Sequence, residues 1–429
     1  MIKHLALRIK QSKVGKNISW IIGGRLVQML IAFVINILTA RYLGPSNYGI
    51  INYAAVYTGF FSSLCSLGLN SIIVKELIEN PDKQGEALGS TIFLKSIASI
   101  VSCFSIWALS SVIDSGESQT ILVVFLCSLG LFFQSFSIFE FWFQSRLESK
   151  TSSIATIIAY IIMSLYKVFL LTTGKSVEWF AIATSIDYFA VSIILLYVYK
   201  KNGGPRLRFD TVASKRMLGQ SYHFILSSLM VSIYGNTDKF MLKHLLDSSE
   251  SVAYYSTAVS LCTTWVFVLQ AIIDSFYPTI MELHKRDHLA YIKRNEQLYF
   301  LVFYISIVVS AIICLIASPA IKVLYGESYL GSIMPLRIIT WYIAFSYLGV
   351  ARNAWLVCEE KQKYLKYIYG LAIVLNIIIN FMLIPSFGAS GAAIASLITQ
   401  FATTIVLPLF IKPIKENSVM MIRAITFRK

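Results

Sequence analysis

Basic side chains lie deep inside long apolar stretches of the sequence at four positions: Arg25, Lys95, Lys167 and Lys239. A charged group in hydrocarbon costs several kcal/mol unless it faces protein or water. Arg25 and Lys95 lie about seven residues, or ~10 Å, from the nearer end of their stretches, so they reach water only if a cavity brings it to them. We therefore expect these cations to line a hydrated cavity.

Polar residues share helix faces with these cations. In the first apolar stretch, Gln28 and Asn36 fall on the same helical stripe as Arg25, while the opposite face is apolar. Arg352 lies closer to the end of its stretch, where it either snorkels to the interface or joins the cavity. Two interpretations of these polar stripes are open: their side chains form hydrogen bonds between helices, or they line a water-filled space. The second interpretation predicts a positive potential suited to an anionic cargo.

Acidic residues are fewer in the apolar stretches. Asp238 adjoins Lys239, and Asp274 lies near the end of a later stretch. A carboxylate in such a place either couples transport to protons or cations, or forms a salt bridge between helices. We name Asp238 and Asp274 as the candidates for ion coupling.

The sequence lacks the motifs of common enzymes and metal sites. It has no Walker loop, no HExxH, no GxSxG and no His/Cys cluster with metal-ligand spacing. The six cysteines fall within or beside apolar runs and show no paired spacing. We therefore expect no catalytic residues, no metal site, no cofactor and no primary pump activity.

The amino-acid composition indicates that the apolar stretches around these charged residues are membrane spans. The chain has 429 residues, of which 56% are apolar and only 14% charged, with a net charge of +15. A soluble domain carries about 25% charged residues, so a soluble fold is excluded and nucleic acid is not expected as a partner. A bilayer span needs about 20 apolar residues. Twelve stretches of that kind occur, at 18–38, 49–70, 88–112, 120–142, 152–172, 179–199, 221–245, 252–277, 298–319, 333–357, 365–385 and 390–411.

The connecting segments predict the topology. The two termini and the even-numbered loops hold 26 lysines and arginines, whereas the odd-numbered loops hold three. Short cytoplasmic loops are enriched in these residues, so both termini are expected in the cytoplasm. The longest outer loop has 13 residues, which leaves no room for a soluble domain.

A basic segment divides the chain into two halves. We expect a six-helix lobe at 1–200, a cytoplasmic linker at 201–220, a second six-helix lobe at 221–411 and a cytoplasmic tail at 412–429. The halves share a short motif, AIAT at 181–184 and AIAS at 393–396. Two such repeats would be parallel, with a cavity between them.

Four motifs carry a family resemblance. The first is Arg-Tyr-Leu-Gly-Pro-Ser-Asn-Tyr-Gly, in which Gly44-Pro45 predicts a stop to one helix. It is similar to the R-x-L-G-P-x-x-Y/F-G signature of polysaccharide flippases of the Wzx type. The four motifs lie at 41–49, at 142–144, at 238–242 followed by 252–258, and at 387–393. The sequence departs from the family at Ser145-Arg146, which adds a cation at the inner mouth and makes Arg146 an accessory cavity residue.

The resemblance implies a member of the multidrug/oligosaccharidyl-lipid/polysaccharide exporter superfamily: an all-α membrane protein with two six-helix lobes in a V shape. It implies flipping of an undecaprenyl-diphosphate-linked oligosaccharide, such as an O-antigen unit, to the periplasmic leaflet of a bacterial inner membrane by ion-coupled alternating access. The diphosphate would meet the cationic cavity. Implied partners are H⁺ or Na⁺, membrane lipids, a polysaccharide polymerase and a chain-length regulator.

Two other functions are open to the sequence. A multidrug or metabolite antiporter shares the fold, but such a transporter usually has an acidic cavity for cationic drugs, whereas the stripes here are cationic. A membrane glycan polymerase or ligase tends to carry a large outer loop, which is absent here. A purely structural assembly factor has no positive support in the sequence.

Overall fold

The computed structural model describes residues 13–426. The first twelve residues of the predicted lobe at 1–200 and the last three of the predicted tail at 412–429 therefore lie outside the described residues. Between residues 13 and 426, all regular secondary structure is helical and no strand occurs. The predicted all-α class is confirmed.

The helices are α1 (Lys13–Ser66), α2 (Ile73–Glu79), α3 (Gln84–Ile113), α4 (Ser118–Ser128), α5 (Gly130–Gln134), α6 (Ile138–Ser145), α7 (Ser149–Thr172), α8 (Val177–Lys201), α9 (Thr211–Leu246), α10 (Ser249–Thr263), α11 (Phe267–Arg286), α12 (His288–Leu324), α13 (Ile333–Ile339), α14 (Tyr342–Cys358), α15 (Leu365–Phe401), α16 (Leu407–Phe410) and α17 (Lys415–Thr426). Short 3-10 turns join several of them. A π-helical turn, Ala402–Val406, connects α15 to α16.

Long apolar helices make this a multi-pass membrane protein. Among the described residues, seven helices are long and apolar enough to cross a bilayer, or nine if two bent pairs each count as one span. The two longest apolar segments have 47 and 49 residues, more than twice the ~20 that a span requires. The number twelve stays a prediction.

Each of these two long segments contains a glycine break. Gly44 in α1 has φ 70° and ψ 173°, and Gly388 in α15 has φ 56° and ψ −134°. A side chain is strained at such positive φ values, whereas glycine is not. In α1 the following residue is Pro45, which cannot donate a helical hydrogen bond. The break lies where the Gly44-Pro45 motif predicts the end of one helix.

The chain divides into two compact units. The first comprises the described residues of 1–43 together with 53–232, and the second comprises 44–52 and 233–426. The boundaries fall inside α1 and α9. The predicted lobe boundaries were placed in the basic loop and remain a prediction.

The first unit has an aromatic core at one end of its helices. Trp142, Phe139 and Tyr199 are fully or almost fully buried there, together with Leu69 and Leu88. The Trp142 indole donates to Gln84 Oε1 at 3.1 Å, so the polar edge of this large ring is satisfied. This core holds α3, α6 and α8 together.

The segment after α8 is attached to α3. Arg208 N donates to Gly85 O at 3.0 Å, and Asp210 N donates to Ser90 Oγ at 2.9 Å. A Cβ on Gly89 would lie 2.3 Å from Arg208 O. Glycine at this point of α3 therefore allows the predicted linker to pack against the helix backbone.

The second unit has its core around α12, α14 and α17. Tyr291, Tyr299 and Trp355 are buried, and Met420 and Met421 of α17 pack against the same cluster. Asn417 Nδ2 donates to Tyr299 Oη at 2.6 Å. Helix α17 is thus packed into this unit, and the cytoplasmic location of residues 412–429 stays a prediction.

Candidate functional site

Lys95 lies in the interior of the first unit. Its side chain is 3% exposed, and its ammonium donates to Asn70 Oδ1 at 3.2 Å. Among the residues that the structure describes, no carboxylate lies within 4 Å of the ammonium. A buried cation with a neutral partner is costly, because its desolvation is not repaid by an opposite charge.

A polar cavity of about 230 Å³ adjoins Lys95. Its polar lining includes Ser62, Ser63, Ser66, Gln134, Ser135 and Ser228. These side chains come from α1, α5, the turn after α5, and α9. Hydroxyl groups donate and accept hydrogen bonds, so they suit an oxyanion or a sugar equally well. Ser99, one helical turn after Lys95 on α3, is used in packing, since it donates to Leu131 O at 3.0 Å.

Arg25 faces a second polar pocket in the same unit. This pocket has a volume of about 110 Å³ and contains Gln28, Glu140 and Gln144. The Gln28 amide donates to Thr156 Oγ1 at 2.9 Å, which fixes it between α1 and α7. Arg25 is exposed, and within residues 13–426 it makes no ion pair or hydrogen bond through its guanidinium.

Lys167 has a different environment from the other predicted cations. Its ammonium forms an ion pair of 2.5 Å with Asp187 Oδ2, and both side chains are about one-fifth exposed. The pair joins α7 to α8. Asp187 neutralises the positive charge that the sequence analysis assigned to the cavity.

In the second unit, Asp238 is the centre of a buried hydrogen-bond cluster. Its Oδ1 accepts from Asn376 Nδ2 at 3.0 Å and from Asn380 Nδ2 at 2.6 Å. Its Oδ2 accepts from Tyr255 Oη at 2.6 Å and from Ser396 Oγ. The cluster joins α9, α10 and α15, and the Asp238 side chain is 6% exposed.

This cluster contains the chemistry of a small-cation site. The carboxylate and amide oxygens are hard ligands, and Asn380 Oδ1 is buried without a hydrogen-bond partner. The hydroxyls of Tyr255 and Ser396 can turn from donor to acceptor, which would let a proton replace them on the carboxylate. No group of three His, Cys, Asp or Glu side chains with metal-binding geometry occurs in the described part of the chain.

The remaining predicted residues are spread over both units. Lys239 is half-buried in a polar pocket beside Asp238, and Asn36 is half-buried on α1. Arg146 is exposed and stacks 4.5 Å over the Trp142 ring. Arg352 is 4% exposed and points to the π-helical turn. Asp274 is exposed and accepts from Gln270 Nε2 at 2.8 Å.

Sequence reasoning missed the partners of Asp238. Asn376 and Asn380 are spaced by four residues in an otherwise apolar run, which places both amides on one helix face and could have flagged them. Tyr255 and Ser396 occur in motifs that were noted only for the family resemblance and the internal repeat.

A second buried carboxylate was also missed. Asp114, placed in an outer loop by the sequence analysis, is 4% exposed. Its oxygens accept from Tyr53 Oη at 2.8 Å and from Tyr57 Oη at 2.9 Å. The two tyrosines are one helical turn apart on α1, so this aspartate ties the start of the segment after α3 to α1.

Comparison with known proteins identifies relatives along most of the chain. The family described as "Polysaccharide biosynthesis protein" matches residues 14–284. The capsular polysaccharide biosynthesis protein CapF of Staphylococcus aureus is 21% identical over 397 residues, covering 91% of this chain and 97% of that protein. A candidate O-antigen transporter of Escherichia coli strain K12 is 21% identical, covering 87% of this chain and 90% of that protein.

Solved structures share the fold. The lipid II flippase MurJ in an inward closed conformation superposes with a TM-score of 0.71 at 13% identity, covering 94% of this chain and 91% of that one. An inward-facing multidrug resistance transporter of the MATE family has a TM-score of 0.71 at 15% identity, covering 94% and 96%. At these identities the similarity shows the fold, which is that of the exporter superfamily expected from the sequence motifs.

Proposed function

The chain belongs to the polysaccharide biosynthesis protein family, and from that membership we propose that it is a flippase for a lipid-linked glycan. In this proposal the cargo is an undecaprenyl-diphosphate-linked oligosaccharide, moved from the cytoplasmic to the periplasmic leaflet by alternating access. The candidate O-antigen transporter among its relatives and its flippase-like fold support a transport function rather than an enzymatic one.

The buried ammonium of Lys95 is the observation that carries this proposal. It lies in a cavity lined by hydroxyls and amides and has no carboxylate within 4 Å among the described residues. A cationic drug would be repelled at such a place, whereas a phosphate oxygen would supply the missing opposite charge. Arg25 and Lys239 also lack ion pairs with described residues and are assigned as further cargo contacts.

Lys167 contributes less to the proposal, because Asp187 already neutralises it. Of the accessory residues, Gln28 lies in the Arg25 pocket and Arg146 is exposed on α6's end, so both are accessible to a ligand. Arg352 is buried and is not among the residues that line these pockets.

For the coupling ion we propose the cluster around Asp238. Four side chains from two neighbouring helices donate hydrogen bonds to its carboxylate, and the oxygens of the cluster suit a proton or Na⁺. Asp274 supports coupling less well, since it is exposed and accepts a hydrogen bond from Gln270 of its own helix. Substitution Asp238→Asn is expected to remove the dependence of transport on the ion.

The alternative is a multidrug or metabolite antiporter of the same fold. The similarity to a multidrug transporter of the MATE family shows that this fold is compatible with such a cargo. The unpaired cations favour an anionic cargo instead. The expected location is a bacterial inner membrane with both termini in the cytoplasm, beside a polysaccharide polymerase and a chain-length regulator.

The proposal is tested by the double substitution Arg25→Ala and Lys95→Ala in the native host. We expect surface polysaccharide to be lost while the protein stays at its normal level in the membrane. The matched control, Lys75→Ala with Lys83→Ala, removes two exposed basic residues and should leave surface polysaccharide unchanged. Normal polysaccharide in the Arg25/Lys95 variant, or a loss of drug resistance in its place, would contradict the proposal.

A further inference from the structure

The C-terminal end of α15 is an irregular helix with a buried arginine against it. α15 ends at Phe401 and continues as the π-helical turn Ala402–Val406. Arg352 of α14 directs its Nη1 toward Thr403 O and Thr404 O, both at 3.5 Å. Its side chain is 4% exposed, and its Nε has no hydrogen-bond partner among residues 13–426.

The sequence reduces the number of backbone donors available to these two carbonyls. Pro408 follows four residues after Thr404 and five after Thr403. Since proline has no N–H, neither an α-helical nor a π-helical bond can reach the two carbonyls from position 408. Arg352 takes the place of that donor, and its positive charge lies at the C-terminal, electronegative end of a long helix.

Side-chain hydrogen bonds and shared helix faces connect this region to the Asp238 cluster. Ser396, which donates to Asp238, lies one turn before Gln400 on the same face of α15. Tyr234, one turn before Asp238 on α9, donates to Gln400 Oε1 at 2.9 Å. The Gln400 amide donates in turn to Thr404 Oγ1 at 3.1 Å. The carboxylate and the π-helical turn are thus linked on both α9 and α15.

The path also reaches α14. Thr404 Oγ1 donates to Phe345 O at 3.0 Å, two turns before Arg352 on the same helix. π-helical turns occur mostly as single interruptions of α-helices and frequently at functional sites. A buried cation with long hydrogen bonds is poorly satisfied. The bonds from Arg352 therefore stabilise the π-helical turn only weakly against a competing helical form.

We propose that Arg352 is a positioning residue: it ties α14 to the π-helical turn, and through this tie the charge state of Asp238 controls the conformation of the end of α15. The inference rests on the proposed ion coupling at Asp238 and adds to it the element that responds. When a cation or proton neutralises Asp238, Ser396 loses the charged acceptor that fixes its face of α15, the face that also carries Gln400. The π-helical turn then shifts relative to α14, and Arg352 determines how far.

Amide hydrogen–deuterium exchange of residues 402–407 tests this in the full-length protein in lipid nanodiscs. Asp238→Asn serves as the probe, since it neutralises the carboxylate whichever ion is natural. We expect Asp238→Asn to change exchange in this segment by about fivefold or more, the lower end of typical coupling effects. In an Arg352→Gln background the same substitution should change exchange by less than about twofold. Arg352→Lys, which keeps the charge, should restore part of the effect.

Two further variants separate this role from simple loss of packing. Pro408→Ala returns the missing N–H and leaves every charge in place, so it should also weaken the effect of Asp238→Asn. Arg337→Gln removes an exposed arginine of the same unit and should leave the effect unchanged. Equal effects of Asp238→Asn in the wild-type, Arg352→Gln and Pro408→Ala backgrounds would overturn the inference, as would no effect in any of them.

The exchange measurement uses no glycan. Its outcome is therefore independent of the surface-polysaccharide test. A different cargo would contradict the proposed function and leave the exchange coupling intact. A π-helical turn that does not respond to Asp238→Asn would contradict this inference and leave the proposed cargo intact.

Discussion

Single buried polar residues carry most of the functional information in this protein. Lys95 and Asp238 are both buried, but their charged groups differ in the number of hydrogen bonds that they make. Asp238 receives four hydrogen bonds from side chains, whereas Lys95 has one neutral acceptor. A satisfied charge stabilises its surroundings, and an unsatisfied one is retained at a cost. The residue that costs stability is therefore the better candidate for contact with cargo.

Replacing Lys95 by an apolar residue of similar length should separate stability from function. We expect Lys95→Met to raise the free energy of unfolding by about 1–4 kcal/mol, because the uncompensated buried charge is removed. The same variant should lose surface polysaccharide. Thermal unfolding of the purified protein measures the first effect and surface labelling the second. A destabilised variant that still exports polysaccharide would contradict both expectations.

The Lys167–Asp187 pair is expected to be structural. Lys167→Met alone leaves a carboxylate without its partner and should destabilise the protein by about 1–3 kcal/mol, less than for a fully buried pair because the side chains are partly exposed. Adding Asp187→Leu should recover the stability and preserve polysaccharide export. If the double variant is stable but inactive, Lys167 contacts cargo after all.

Whole helices are shaped by glycine and proline at a few positions. Gly44 and Gly388 interrupt two apolar segments that would otherwise be far longer than a bilayer span. Pro408 removes a donor at the end of α15, and the helix there takes a π-helical form. Gly89 allows the extended segment before α9 to lie against α3. In each case a missing side chain or a missing N–H decides the path of the backbone.

The contact between α3 and the segment before α9 gives a prediction at this scale. Gly89→Ala places a Cβ 2.3 Å from Arg208 O, so the segment must move. We expect a loss of about 1–3 kcal/mol, as for other overpacked sites. In contrast Gly219→Ala, a helical position with nothing within 4 Å, should stabilise the protein by about 0.5–1 kcal/mol. The unfolding midpoints of the two variants should shift in opposite directions.

For the molecule as a whole, charge distribution and fold address different questions. The bias of 26 to three basic residues predicts the orientation of the chain in the membrane. The fold, shared with MurJ and MATE structures, is compatible with both lipid-linked and drug cargoes. Neither property by itself identifies the cargo, which depends on the polar side chains inside each unit.

Reporter fusions test the predicted topology and the number of spans. Alkaline phosphatase should be inactive when fused after Lys429 or within residues 201–220, because both places are predicted to be cytoplasmic. It should be active when inserted within residues 113–119, an odd-numbered loop. An active fusion after Lys429 combined with an inactive fusion within residues 201–220 would show an odd number of spans between these two places and contradict the predicted six-helix second lobe.

The sequence by itself determined the membrane class, the all-α fold, the family and the positions of the intramembrane charges. These follow from composition, from the length of apolar runs and from local motifs, all of which are properties of neighbouring residues. Only the tertiary structure decided which charges are paired. Asp238 meets Asn376 and Asn380 across 138 and 142 residues of sequence, and Lys167 meets Asp187 from a different helix. Helical spacing places a side chain on a face, but the helix that packs against this face, and thus the partner, is fixed only by the fold.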